Sequence, residues 1–231
     1  MKMHFATLAG AVLIAMGSST AFAGDTQCRG EKCWDLPDFQ CNGGDCDSVG
    51  NYAKVMQFGM KNDATVLQNV NSIENSAHVF QKGYGNIARV DQSYGKHNRA
   101  GISQYGKENE ASVTQTGAKN GAKVVQKGGK NTSDIDQAGY RNRAMSMQMG
   151  YGNSSDIDQT GIGHHAMVKQ HGKDNDATIE QFCKLNRASV MQHGMGNQAT
   201  VTQYSMMNVA EVMQHGYGNT ALVAQGAAPS P

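Results

Sequence analysis

From residue 51 onward the chain repeats one seven-residue phrase, Asn-x-Ala-x-Val-x-Gln, sixteen times, mostly at intervals of eleven residues. The opening amide falls at Asn51, Asn62, Asn75, Asn86, Asn98, Asn109, Asn120, Asn131, Asn142, Asn153, Asn175, Asn186, Asn197, Asn208 and Asn219, and His164 takes the remaining slot. Six residues after each comes a glutamine: Gln57, Gln68, Gln81, Gln92, Gln104, Gln115, Gln126, Gln137, Gln148, Gln159, Gln170, Gln181, Gln192, Gln203, Gln214 and Gln225. The Ala slot changes only to Ser133 and Ser155, and the Val or Ile slot only to Ser146. Regular self-similarity of this kind leaves few architectures open, because each unit must bury its apolar face against its neighbours.

An eleven-residue period also fits a right-handed helical coiled coil. At about 100° per residue, however, the Ala and Val slots of a helix point to nearly opposite sides, whereas in a strand all four marked positions share one face. Spacers such as KGYG, MGYG and HGMG would also interrupt a helix at every unit. The repeat therefore reads as β.

The spacers carry a second period. Gly59, Gly83, Gly106, Gly128, Gly150, Gly172, Gly194 and Gly216 hold one position in alternate units, about 22 residues apart, while the intervening spacers vary in sequence and absorb both length changes. One rung is then a strand, a tight glycine turn, a second strand and a freer turn. Eight such rungs make an all-β, two-sheet β-solenoid of cross-β type over residues 51–226. With strands rising roughly 3.3 Å per residue and rungs about 4.8 Å apart, it is a flattened body under about 40 Å tall. Stacking sets each inward amide over its equivalent, so the side chains can hydrogen-bond along the axis as ladders. A buried amide without partners would cost roughly 1–3 kcal/mol. The end rungs need another copy to complete the pattern.

Composition agrees with a thin interior, since aromatic residues are 6% of the chain and Gly numbers 28. Lys2 followed by the apolar run Phe5 to Met16 and by Ala21-Phe22-Ala23 has the layout of a secretory signal, with cleavage expected after Ala23. No other stretch is apolar for the roughly 18 residues a membrane span requires. Without Lys2 the mature chain carries 19 basic and 19 acidic residues, which offers little resistance to self-association.

The runs QKGYGN, QMGYGN, QHGMGN and QHGYGN resemble the repeats of curlins, the subunits of bacterial curli amyloid fibres. The resemblance implies export from a Gram-negative cell, passage through an outer-membrane secretion channel, and assembly, with a curli-type nucleator subunit as partner, into an extracellular fibre that supports adhesion and biofilm. Two features depart from the familiar pattern. Asn begins the strands where the familiar first strand has Ser, and eight rungs exceed the familiar number.

Between the signal and the repeats lies a segment, residues 24–50, with Cys28, Cys33, Cys41 and Cys46. In an exported protein these suit disulfides, with three pairings open, and a zinc site or free thiols are the alternatives. By position, the segment matches the part of a curlin that addresses the subunit to its channel. Cys183 falls in a freer turn and reads as a tolerated surface thiol. His171, His193 and His215 share one slot in three successive rungs, where they would stack and offer imidazoles to Cu or Zn, although that turn also accepts Lys82, Tyr105 and Met149. No acid, base and nucleophile recur together, so an enzyme is not expected. Nor is a bound cofactor or a nucleic-acid partner.

Outward positions of the first strand in each rung are mainly basic, including Lys54, Arg99, Lys123, Arg143 and Arg187, with Glu211 the exception. Those of the second strand are mainly acidic, including Asp63, Glu110, Asp134, Asp136, Asp156, Asp158 and Glu180, with Arg89 the exception. Solvation of the faces and lateral attraction between filaments are the two readings. The leading function is a self-assembling structural subunit. A monomeric secreted binding or adhesin module, or a metal-binding protein using the cysteine segment, are the alternatives.

Overall fold

The computed structural model describes residues 50–68 and 72–226, together with the backbone of Leu13–Ala15 and Ser18–Ala23. Among the described residues there are strands and turns but no helix. Every residue-by-residue pairing is parallel, so the chain winds as a solenoid. One sheet stacks Tyr52–Met60, Ser76–Tyr84, Arg99–Lys107, Gly121–Gly129, Arg143–Tyr151, His165–Lys173, Arg187–Met195 and Val209–Tyr217. The other stacks Asp63–Gln68, Ile87–Asp91, Glu110–Ala118, Thr132–Tyr140, Ser154–Ile162, Asp176–Lys184, Gln198–Gln203 and Thr220–Gln225, with the short strand Gly95–Lys96 beside Glu110–Ala118. These are the eight rungs the sequence predicts.

Register is held by like meeting like. Ala122 lies beside Ala100 and Ala144, Val124 beside Ile102 and Ser146, and Gln126 beside Gln104 and Gln148. A one-residue slip would turn every Ala and Val to solvent and every charge inward, which is why the alternation fixes the pairing so strongly. The core is the double row of Ala and Val or Ile from Ala53 to Val212, nearly all of it inaccessible to solvent.

The turns are more uniform than the spacers suggest. The glycine arch predicted for alternate turns also closes the others at Gly117, Gly139 and Gly161, with φ of +89°, +122° and +135°. A second left-handed position directly precedes the repeat amides, including the non-glycine residues Lys61, Glu108, Lys119, Lys130, Arg141 and Asp174 at φ between +52° and +60°. The reason for glycine in the arch is contact between rungs: a Cβ at Gly128, where φ is +117°, would collide with the carbonyl oxygen of Gly150. Cys183 replaces this glycine at φ +71° where the turn above it departs from the arch, and its thiol donates to the Tyr204 carbonyl at 3.0 Å.

At the first rung the backbone of Leu13–Ala15 pairs with Tyr52–Met60 and that of Ser18–Ala23 with Asp63–Gln68. Both segments fall within the stretch read from sequence as a cleavable signal. At the opposite end, Val209–Tyr217 and Thr220–Gln225 are edge strands.

Candidate functional site: amide ladders and open ends

Each rung directs two glutamines into the core, and in every rung but the last these donate from Nε2 to Oε1 of the equivalent glutamine in the next rung. One ladder runs from Gln57 through Gln81, Gln104, Gln126, Gln148, Gln170 and Gln192 to Gln214, at 2.7–2.9 Å. The other runs from Gln68 through Gln92, Gln115, Gln137, Gln159, Gln181 and Gln203 to Gln225, also at 2.7–2.9 Å. The remaining Nε2 proton reaches backbone carbonyls, as when Gln126 donates to Glu110 O at 2.7 Å and to Asn131 O at 3.0 Å. A chain of such bonds polarises in one direction, which strengthens each member.

The asparagines divide into two classes. Those ahead of the second strand form a side-chain ladder of opposite sense, in which Nδ2 of each later rung donates back to Oδ1 of the earlier one. It links Asn62, Asn86, Asn109, Asn131, Asn153, Asn175, Asn197 and Asn219 at 2.8–3.0 Å. Glutamine and asparagine rows therefore point their amide dipoles in opposite directions along the axis. In both columns Oδ1 also accepts the backbone N–H of the following rung, as Asn62 does from Asn86 at 3.1 Å, and ahead of the first strand this bond takes the place of the side-chain ladder. This series runs through Asn51, Asn75, Asn98, Asn120 and Asn142 to His164, at 2.8–3.0 Å, and Asn208 N donates likewise to Asn186 Oδ1 at 2.9 Å. Their Nδ2 groups turn to the arches, as Asn142 does to Ala138 O at 3.2 Å and Gly161 O at 3.1 Å. The sequence expectation of axial side-chain bonding at every Asn is thus met by one of the two columns. Of the predicted ladder residues, all are buried except Asn208, Asn219 and Gln225, which sit in the last rung.

Among the described residues that last rung is the open end. Met213, Tyr217 and Leu222 are 71%, 76% and 75% exposed, and the inward-directed Ala221 and Val223 are covered only in part. Thr220–Gln225 carries neither charge nor proline. An unprotected edge of this kind is a template for another strand.

The outer faces bear the charges the sequence indicates. On the second sheet Asp134 stacks against Asp156, and Asp136 against Asp158, which in turn lies beside Glu180. Burial, followed by repulsion from Asp156, Asp136, Glu180 and Asp134, pushes the Asp158 carboxyl up to about 6. Asp134 and Asp156 are raised for the same reasons, burial first. On the first sheet burial, with help from Arg187 and Arg143, lowers His165, and burial with Lys54 lowers His78.

His171 and His193 stack with ring centroids 4.9 Å apart, whereas His193 and His215, 4.8 Å apart, are tilted by 51° to one another. Cys28, Cys33, Cys41 and Cys46 lie outside the described residues, and Cys183 is an exposed free thiol. Among the described residues no three His, Cys, Asp or Glu side chains converge as a metal site, and no helix is long and apolar enough to cross a membrane. No curated protein matches the chain. The family model described as the curlin associated repeat matches four times, over residues 74–106, 106–139, 141–172 and 172–204. With more than half of its length covered by that repeat and the repeat's amides stacked as continuous ladders, the chain belongs to the curlin family.

Proposed function

We propose that this protein is the structural subunit of an extracellular, curli-like amyloid fibre, built by head-to-tail stacking of solenoids and serving adhesion and biofilm matrix. The observation that carries the reading is the difference between the two ends. The last rung exposes edge strands in the register that every internal rung uses, and the first rung offers Tyr52–Met60 and Asp63–Gln68 with the same spacing of Asn, Ala, Val and Gln. In a fibre, Val55 of one copy lies over Val212 of the preceding one and Gln57 over Gln214, which prolongs the glutamine ladder across the junction. The two surfaces are complementary and unlike, so contacts propagate without closing. Residues 1–23 serve as the export signal, and their removal uncovers the first-rung edge that Leu13–Ala15 and Ser18–Ala23 cover. Residues 24–50 address the subunit to its outer-membrane channel. Neither role requires a catalytic group.

Electron microscopy of the mature chain after removal of denaturant tests this reading. Unbranched fibres with a repeat near 4.7–4.8 Å along the axis are expected. A chain that stays monomeric at tens of micromolar for days overturns it in favour of a discrete binding module.

A further inference from the structure

We propose that the outer face of rungs seven and eight binds a soft monovalent cation, Cu(I), between thioether and imidazole ligands. Each of these rungs carries Met-Gln-His in the second half of its first strand: Met191 and His193 in one, Met213 and His215 in the other. The glutamine between them points inward to the ladder, so thioether and imidazole project from the same face of the strand. Pairing is in register, Met191 beside Met213 and His193 beside His215, which sets two sulfurs and two imidazoles at the corners of one patch. At a rise of about 3.3 Å per residue and a strand spacing of about 4.8 Å, flexible methionine side chains span the patch. The four side chains line one wall of an open groove of about 550 Å³ that continues along the axis past His171 and Met147.

The donor set selects the metal. The His193 and His215 rings lie with centroids 4.8 Å apart and planes tilted by 51°, and among the described residues no three His, Cys, Asp or Glu side chains gather as a zinc site would require. Neutral thioethers are poor ligands for Zn(II) and good ones for Cu(I), which also accepts two- or three-coordinate mixed S and N sets. Charge places the ion at the far end of the groove. Lys169 occupies the methionine column in rung six, whereas Glu211, the only acid among the outward positions of this sheet, precedes Met213 by two residues on the same face. The site lies within one molecule and does not depend on fibre formation. Binding here involves no redox step.

The test uses the full chain with Cys28, Cys33, Cys41, Cys46 and Cys183 replaced by Ser, so that thiolates cannot compete for the ion. Cu(I) affinity is read by competition with a chromogenic chelator, Ag(I) serves as a redox-inert probe, and absorption spectroscopy at the copper edge reports the ligand atoms. Micromolar or tighter binding is expected, with both sulfur and nitrogen neighbours and with Zn(II) binding at least ten-fold weaker. M191L/M213L keeps the shape of these outward side chains and should weaken Cu(I) at least ten-fold, and H193Q/H215Q should do the same. Circular dichroism of each variant checks that the β fold is retained. Failure of the serine-substituted chain to compete with the chelator, or variant affinities equal to the parent's, would overturn the proposal.

Discussion

The Nδ1 atom of His164 accepts the backbone N–H of Asn186 at 3.3 Å, while its Nε2 faces the Thr160 carbonyl at 3.1 Å. An acceptor at one nitrogen and a donor at the other define a neutral imidazole doing the work of an asparagine. Burial holds the His164 pKa below its ordinary value, against the opposing pull of the Thr160 and Cys183 carbonyls. The unfolded chain therefore takes up a proton first, so stability is complete above the ordinary histidine pKa and falls as pH drops through it. Protonation turns an N–H against the Asn186 N–H, a loss on the order of 1–3 kcal/mol. We expect H164N to match the parent at pH 7.5 and to exceed it at pH 5, measured as the guanidinium midpoint of assembled chains. A constant difference at the two pH values would contradict the tautomer.

The Asp158 stack responds in the opposite sense. Its carboxyl is raised to about 6, first by burial and then by its acidic neighbours, so the folded state holds the proton more tightly than the unfolded state does. The ionised form is thus a burden that disappears as pH falls through about 6 toward the ordinary carboxylate range. D158N should stabilise the assembled chain at pH 7.5, by an amount that shrinks by pH 5. Titration of Asp158 by carbon-detected NMR in fibres provides the direct measurement. An unshifted carboxylate would remove the basis for the effect.

Columns were legible in the sequence because stacking makes every rung report the same rule. Asn, Ala, Val and Gln recur at positions whose only common geometry is one face of a strand. The eight rungs and the arch glycines from Gly59 to Gly216 followed from that rule. The left-handed residues ahead of the amides were not legible, because Lys61, Glu108 and Asp174 carry no sign of their backbone, which the arch hydrogen bonds impose. The glycines at 50, 85, 152, 163, 196 and 218 were the available signal. The arches at Gly117, Gly139 and Gly161 were hidden because neighbouring spacers of the same class differ, notably at Cys183. The opposed senses of the glutamine and asparagine rows depend on small rotations of side-chain amides, which spacing alone does not encode.

Arch and strand glycines should behave differently. Gly128 combines φ +117° with a Cβ position that would strike the Gly150 carbonyl, whereas Gly121 lies in a strand with open space around its own Cβ position. G128A should cost about 1–3 kcal/mol or more, because strain and the clash between rungs add. G121A should stay within about 1 kcal/mol of the parent and tend to stabilise, by reducing the freedom of the unfolded chain. Guanidinium midpoints of the two variants give the comparison, and equal losses would refute the arch geometry.

Ser146 interrupts the valine row between Val124 and Val168, fully buried, and its hydroxyl has no hydrogen-bond partner. Restoring the row with S146V removes an unsatisfied polar group and adds apolar contact. A gain of roughly 1–2 kcal/mol is expected. Reduced stability in the same denaturation assay would mean that the backbone has closed around the serine.

Polymerisation tests the ends together. Natural sheets blunt their edges with proline, charge, bulges or a covering segment. The chain's three prolines, Pro37, Pro229 and Pro231, all lie outside the repeats, and Thr220–Gln225 is uncharged. Among the described residues only the first rung has a cover, the backbone of Leu13–Ala15 and Ser18–Ala23, and under the proposed function that cover is cleaved away on export. A precursor that keeps residues 1–23 should therefore assemble with a longer lag than the chain beginning at Gly24, and its own first rung should add poorly to seeds of the mature chain. Mature chains should show a lag that preformed fibres abolish. V223K/Q225K, which places inward charges on the open edge, should slow elongation from seeds at least several-fold, because each new copy must bury an unpaired charge. Light scattering and seeded fluorescence kinetics at matched concentration measure all three. Identical kinetics for precursor and mature chain would show that the first-rung edge is not the surface that grows, and unimpaired elongation by V223K/Q225K would remove the last rung from the junction.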